Sequence, residues 1–435
     1  MKRIIAAVLA VSLILSVTAC SGGDTSAPAD SLATSGNSEE RPLRSNPIAL
    51  DENGNIDMEV ALKYETDVDA LIKKLEAKTP DGSKPVSENT NEETLELFNY
   101  LKSIYGKQIL AGQQYSNANQ YENIMYYNTT GDMPAIMGFD FLFAQGTDEP
   151  DFTQIEEAIK WHNEQNGIVA FCWHWKVPVD ISNDNVKGTA FYSKEIRNFS
   201  LENAVTPGTK EYEVVIKDID TIALYLQRLE SAGVPVIWRP LHEASGNWFW
   251  WGREAGSADD YIALWQWTRN DMNLRIPKSS NFQILYAYSP DKLTRYEDTP
   301  EGAYRETAEW YPGDEYVDII GTDCYHHGGA EGTEDYLYRA HRQLDAAARM
   351  AKEHGKRFAF TETGCEALRC PHWYTTVLLP LLREYPDIEY VLVWRNAWDI
   401  PTHYFLPLPG TPEAEDFKIF MNQLRIVHRT SVNRK

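Results

Sequence analysis

The chain has 435 residues, 43% of them hydrophobic, which suits one large domain or two ordinary ones with a sizeable core. A formal net charge of -23 argues against nucleic acid and anionic membrane surfaces as partners. Thirteen Trp and 24 Tyr are a heavy aromatic load, part of it core and part suited to flat, weakly polar ligand faces.

The first residues read as a targeting segment and are set aside from the fold. Lys2 and Arg3 form a charged start, and Ile4 to Val17 an apolar run too short to span a bilayer comfortably. Val17-Thr18-Ala19-Cys20 is similar to a bacterial lipobox, which predicts a signal peptide over 1–19 and lipidation of Cys20. The alternative is a plain secretory signal with a chance cysteine. Residues 20–45, rich in Ser, Gly, Ala, Asp and Pro, have the composition of a flexible tether. The chain is therefore expected to be exported and held at a membrane by its lipid alone. Residues 46–90 form an extension of undefined packing, with a helix-like stretch over Ala61–Ala77. Four further cysteines, Cys172, Cys324, Cys365 and Cys370, lack zinc-site spacing; Cys365 and Cys370 suit either a bridge or buried free thiols.

From about Glu92, short apolar runs alternate with helical patterns. Strands are predicted at Gln108–Gly112, Ala135–Phe141, Ile168–Trp173, Pro235–Leu241, Phe282–Tyr288, Val317–Asp323, Arg357–Thr361 and Tyr390–Trp394. Their continuous apolar character fits parallel strands buried on both faces. Helices are predicted over Phe152–Asn166, Ile219–Ala232, Ser257–Leu274 and Asp335–His354. Ser257 caps the third of these, and Asp259 and Asp260 in its first turn suit the helix dipole. Gly167, Gly233 and Gly355 each stand just before a strand. Eight strand–helix alternations predict a (β/α)8 TIM barrel over residues 91–435. An open doubly wound sheet is the second choice, disfavoured because no glycine-rich phosphate loop follows the first strand. The long polar segment from Lys176 to Val215 is expected to rise on the catalytic face.

Barrel enzymes carry their reactive groups at the C-terminal ends of the strands. Those ends here offer Gln113, Gln114, Asp140, His174, Trp175, Arg239, His242, Glu243, Tyr288, Asp323, Tyr325, Glu362, Trp394, Arg395 and Trp398. Glu243 and Glu362, on the fourth and seventh strands, would face each other across the barrel mouth. Such a pair serves glycosidic bond hydrolysis: one carboxyl protonates the leaving oxygen, and the other attacks or activates water. Leu241 and Trp248 beside Glu243 favour the protonated acid, whereas Glu362 needs donors such as Arg239, His242 or Tyr325 to stay ionised.

Trp238-Arg239-Pro240-Leu241-His242-Glu243 with the Trp-rich tail to Gly252, Thr361-Glu362-Thr363-Gly364 and Trp394-Arg395-Asn396-Ala397 together resemble glycoside hydrolase family 26. Most members of that family are endo-β-1,4-mannanases. The resemblance implies a TIM barrel with Glu243 as acid/base and Glu362 as nucleophile. It implies substrate contacts from His174, His242, Trp248, Tyr325, Trp394 and Arg395, while Arg239, read from its own place at the strand end, is expected to orient a carboxylate. Trp250 and Trp251 are assigned to packing. Tyr288 departs from the family pattern, and Gln113 stands where a His is common.

The expected substrate is mannan, glucomannan or galactomannan, cleaved with retention. The same framework also suits β-1,3-xylan or mixed-linkage β-glucan. A non-catalytic glycan-binding lipoprotein would be expected to lack one Glu, and both are present. A zinc hydrolase fails because His242-Glu243 has no second His at HExxH spacing. No metal or cofactor is implied, and nothing in the sequence reports on oligomeric state.

Overall fold

Strands Ile109–Gln114 (β1), Ile136–Asp140 (β2), Ile168–Cys172 (β3), Val236–Arg239 (β4), Ile284–Tyr288 (β5), Ile319–His326 (β6), Arg357–Cys365 (β7) and Tyr390–Val393 (β8) pair in chain order, all parallel. Pairing of Leu110 to Gln113 with Tyr390 to Val393 closes the ring. A computed structural model thus shows the expected (β/α)8 barrel. It describes residues 82–432 except 88–89, 117–120, 144–150, 184–187, 276–283, 292, 398–399 and 424–425. The signal segment, Cys20, the tether, Ala61–Ala77 and Trp398 lie outside the described residues.

The helices that follow the strands are Tyr121–Thr130 (α1), Thr153–Gln165 (α2), Lys210–Ser231 (α3), Ala258–Arg275 (α4), Pro300–Glu309 (α5), Thr333–Glu353 (α6), Leu379–Glu384 (α7) and Pro412–Met421 (α8). Their starts follow capping chemistry. The Ser257 hydroxyl accepts from the Asp260 N–H while the Asp260 carboxylate takes the Ser257 N–H, a reciprocal cap on α4. Thr299 and Thr411 cap α5 and α8, each followed by a proline whose missing N–H costs a first turn nothing. Helix α3 starts nine residues earlier than its apolar periodicity suggests, because Thr209 caps it there through the Tyr212 N–H. Gly233 and Gly355 take positive φ in the turns that lead into β4 and β7. Gly167 is needed for space instead: a Cβ there would fall 2.1 Å from the Trp161 indole.

The core is continuous from the barrel interior to the helix–sheet layer and includes Leu110, Ile136, Val169, Ile237, Leu285, Ile320, Phe358 and Val391. Strands β6 and β7 run past their predicted ends, so Tyr325 and Glu362 stand inside strands rather than beyond them, and Asp323, the predicted last residue of its strand, lies in its interior. Their pairing shifts there: Thr322 faces Phe360, but the next residue, Asp323, faces Glu362. Thr361 is thereby the extra residue of a bulge, a device that re-aims neighbouring side chains. Its hydroxyl donates toward the Thr322 carbonyl and the Asp323 carboxylate, at 2.9 and 2.6 Å.

Candidate active site

Beyond β4 the chain makes a sharp excursion. Leu241 and Glu243 both take left-handed φ, 50° and 57°, values uncommon for residues with a side chain and of a kind that clusters at functional sites. The Glu243 N–H is fixed on the Ser289 carbonyl at 2.8 Å, so the turn is tied to the end of β5. Its carboxyl is buried and accepts the Trp248 indole N–H at 2.6 Å. Burial, then the negative charges of Asp291 and Asp323, push the Glu243 carboxyl well above the usual carboxylate range, against the opposing pull of Arg239 and the Trp248 bond. Gly246 makes the Trp248 pose possible, since a Cβ there would come within 2.5 Å of the indole.

Glu362 stands in a different setting. Arg239 donates to one carboxylate oxygen and the Tyr325 hydroxyl to the other, the latter at 2.5 Å. Arg239 also bonds Asp323 at 2.6 Å and the Ser289 hydroxyl at 2.9 Å. One buried guanidinium therefore serves two carboxylates, in the forked geometry that makes Arg suited to such sites. Burial raises the Asp323 carboxyl to about 6, opposed by Arg239 and by the hydroxyls of Thr361 and Ser289. Glu243, Asp323 and Glu362 each place an oxygen within 4.8 Å of the others.

His174 and His242 form the neighbouring wall, with ring centroids 4.6 Å apart. Asp140 holds His174 twice, through its Nδ1 at 2.6 Å and its backbone N–H at 3.1 Å. Burial first, then Arg239 and His174, hold the His242 imidazole well below its ordinary pKa and so neutral. Phe191, Phe249 and Trp394 ring His174 at 5.1, 5.4 and 5.9 Å. Trp394 is buried at the end of β8, where Gln113 donates to its carbonyl at 2.9 Å. Arg395 follows it, half-buried.

The structure therefore brings Glu243, Glu362, Arg239, His174, His242, Trp248, Tyr325 and Trp394 into one cluster, with Arg395 adjoining it. Tyr288 is not among them; it turns outward and donates to the Thr307 carbonyl. Trp250 and Trp251 pack as expected, their N–H groups on the Trp175 and His242 carbonyls. The segment from Lys176 joins the rim through a Tyr192–Phe249 bridge and the Ser193 N–H on the Trp248 carbonyl. Cys365 and Cys370 are free buried thiols. Asp291 was absent from the expected site, although it follows the end of β5 and strand ends were the place to look.

A model of glycosyl hydrolase family 26 matches residues 86–359. The chain belongs to glycosyl hydrolase family 26. The matched range includes Glu243 and stops three residues short of Glu362, so the second carboxylate stands on the geometry. A mannan endo-1,4-beta-mannosidase of Thermothelomyces thermophilus is 33% identical over 252 residues, 55% of this family 26 chain and 46% of the relative. One from Bacillus subtilis (strain 168) is 26% identical over 345 residues, 75% of this chain and 85% of the relative. The chain spans less than half the length of the Thermothelomyces relative and of two from Piromyces sp.. Among solved structures, a family 26 beta-mannanase from Bacteroides ovatus superposes with a TM-score of 0.65 at 28% identity, over 79% of this chain and 97% of that one.

Proposed function

We propose that this family 26 protein is a lipid-anchored endo-β-1,4-mannanase that cleaves mannan, glucomannan or galactomannan with retention. The observation that carries the reading is the unequal pair: Glu243, held protonated by burial, opposite Glu362, held by Arg239 and Tyr325. Oxygens within 4.8 Å suit the short carboxyl separation of retaining enzymes, about 5–5.5 Å, rather than the wider gap that admits a water. The names of the relatives support the choice of sugar.

In the first step Glu362 attacks the anomeric carbon and Glu243 gives its proton to the departing glycosidic oxygen. In the second, Glu243 takes a proton from water as it displaces Glu362, and the sugar leaves with its configuration retained. Trp248 orients Glu243 on the leaving-group side. His174, His242, Trp394 and Arg395 line the other side, and neutral His242 is available to a sugar hydroxyl. Residues 1–19 are read as the signal, Cys20 as the lipidated residue and 20–45 as the tether.

The test is a polysaccharide panel with products sized over time. A ladder of manno-oligosaccharides is expected. Disaccharide alone from the outset would contradict the endo reading. Glu362→Ala should abolish release of reducing ends while oligosaccharide binding persists; full activity in that variant would remove the nucleophile assignment.

A further inference from the structure

Asp140 pairs with Cys172 at the ends of β2 and β3, and His174 stands two residues further on. The two oxygens of Asp140 have different duties. Oδ1 accepts two backbone N–H groups, that of Leu142 at 2.9 Å and that of His174 at 3.1 Å. Oδ2 takes His174 Nδ1 at 2.6 Å. The Asp140 N–H is in turn held by Gln154 Oε1 of α2 at 3.2 Å, so the clamp is anchored outside the barrel. Burial raises the Asp140 carboxyl, but the His174 ring and the two N–H groups hold it below its ordinary range, so both oxygens accept. A carboxylate that only accepts places the His174 proton on Nδ1 and leaves Nε2 for another partner. Among the described residues no group bonds that Nε2, and the ring lies beside His242, Phe249 and Trp394 in the wall of the site.

We propose that Asp140 is a positioning residue that fixes the tautomer of His174: its carboxylate keeps the proton on Nδ1 and so leaves Nε2 as an acceptor for a hydroxyl of the bound mannan. The inference rests on the proposed reading of His174 as a sugar contact. The other groups around the pair do not take over this task. Lys176 brings a positive charge into the field of Asp140, which favours the ionised carboxylate. Cys172 places its sulfur within 4.8 Å of both residues, yet burial pushes its thiol well up and keeps it neutral. His242, also neutral, meets the His174 ring edge to face at 4.6 Å.

Asp140→Asn separates the carboxylate from its shape. The Leu142 and His174 N–H groups still need an acceptor, so the amide oxygen should take the place of Oδ1 and the NH2 should meet Nδ1. Nδ1 then accepts, the proton moves to Nε2, and the sugar hydroxyl meets a donor where it met a lone pair. Nitrogen-15 NMR of the full chain with labelled histidine reads this directly, above the pH at which the ring loses its second proton. His174 should show the Nδ1–H form in wild type and the Nε2–H form in Asp140→Asn, with His174→Ala supplying the assignment. On mannohexaose, kcat/KM should fall roughly tenfold in Asp140→Asn, the size of one hydrogen bond lost. In a His174→Ala background the same change should cost nothing further, because Asp140 acts through that ring. An Nε2 proton in wild type, or a loss that persists undiminished without His174, would overturn the inference and mark Asp140 as a brace of the fold. If Asp140→Asn does not fold, as judged by its thermal transition, the wild-type spectrum decides: a proton on Nδ1 supports the clamp and one on Nε2 overturns it. A wild-type enzyme inactive on mannohexaose would instead overturn the proposed function, with the tautomer still read from the spectrum.

Discussion

Trp248 lends its indole N–H to Glu243 at 2.6 Å, and under the proposed function this single contact couples the leaving-group side of the cleft to the proton donor. Trp248→Phe keeps an aromatic ring and deletes the donor. Glu243 becomes the charged partner of this bond only as it gives up its proton in the transition state, where a hydrogen bond to a charged group contributes about 1.5–3 kcal/mol, so kcat/KM on mannan should fall roughly ten- to a hundredfold. Steady-state kinetics at the pH optimum checks this; an unchanged kcat/KM would show that the bond does not act in catalysis. Glu243, Glu362, Arg239 and Tyr325 were legible in the sequence because strand-end chemistry and the family's motifs point to the same residues. Asp291 was not, since nothing in Ser289-Pro290-Asp291 itself marks the acid as part of a site. It bonds Ser245 and Gln343, 46 and 52 residues away. The left-handed φ at Leu241 and Glu243 was equally hidden, because neither residue type advertises it.

At the scale of elements, the eight strands were readable because buried parallel strands are short apolar runs bounded by turn residues. Register was not. Apolar residues on both faces of a strand look the same after a one-residue slip, so the bulge at Thr361 leaves no trace in the pattern. That bulge brings Glu362 opposite Asp323 and within reach of Arg239 and Tyr325. Thr361→Val preserves the branched shape and removes the hydroxyl, leaving the Thr322 carbonyl and Asp323 Oδ1 one donor short. The expected cost is about 1–3 kcal/mol in denaturant unfolding, the penalty for buried acceptors left without a donor. Activity should fall as well, because Asp323 and Glu362 share Arg239. Wild-type stability would mean that backbone pairing alone holds the bulge.

For the whole molecule, the anchoring reading separates localisation from catalysis. Cys20→Ala, expressed in a bacterium that processes lipoproteins, should shift the protein from the membrane pellet to the soluble exported fraction without changing kcat/KM on mannohexaose. Retention in the pellet would contradict lipidation at Cys20. The catalytic claim is carried by the barrel, whose fourth and seventh strands hold an acid and a carboxylate close together with opposite surroundings. The most direct test is to follow mannohexaose hydrolysis by proton NMR from the first seconds. New reducing ends should appear as the β anomer and only later mutarotate to the mixture. Initial appearance of the α anomer, or no cleavage at all, would contradict the proposed retaining mannanase activity.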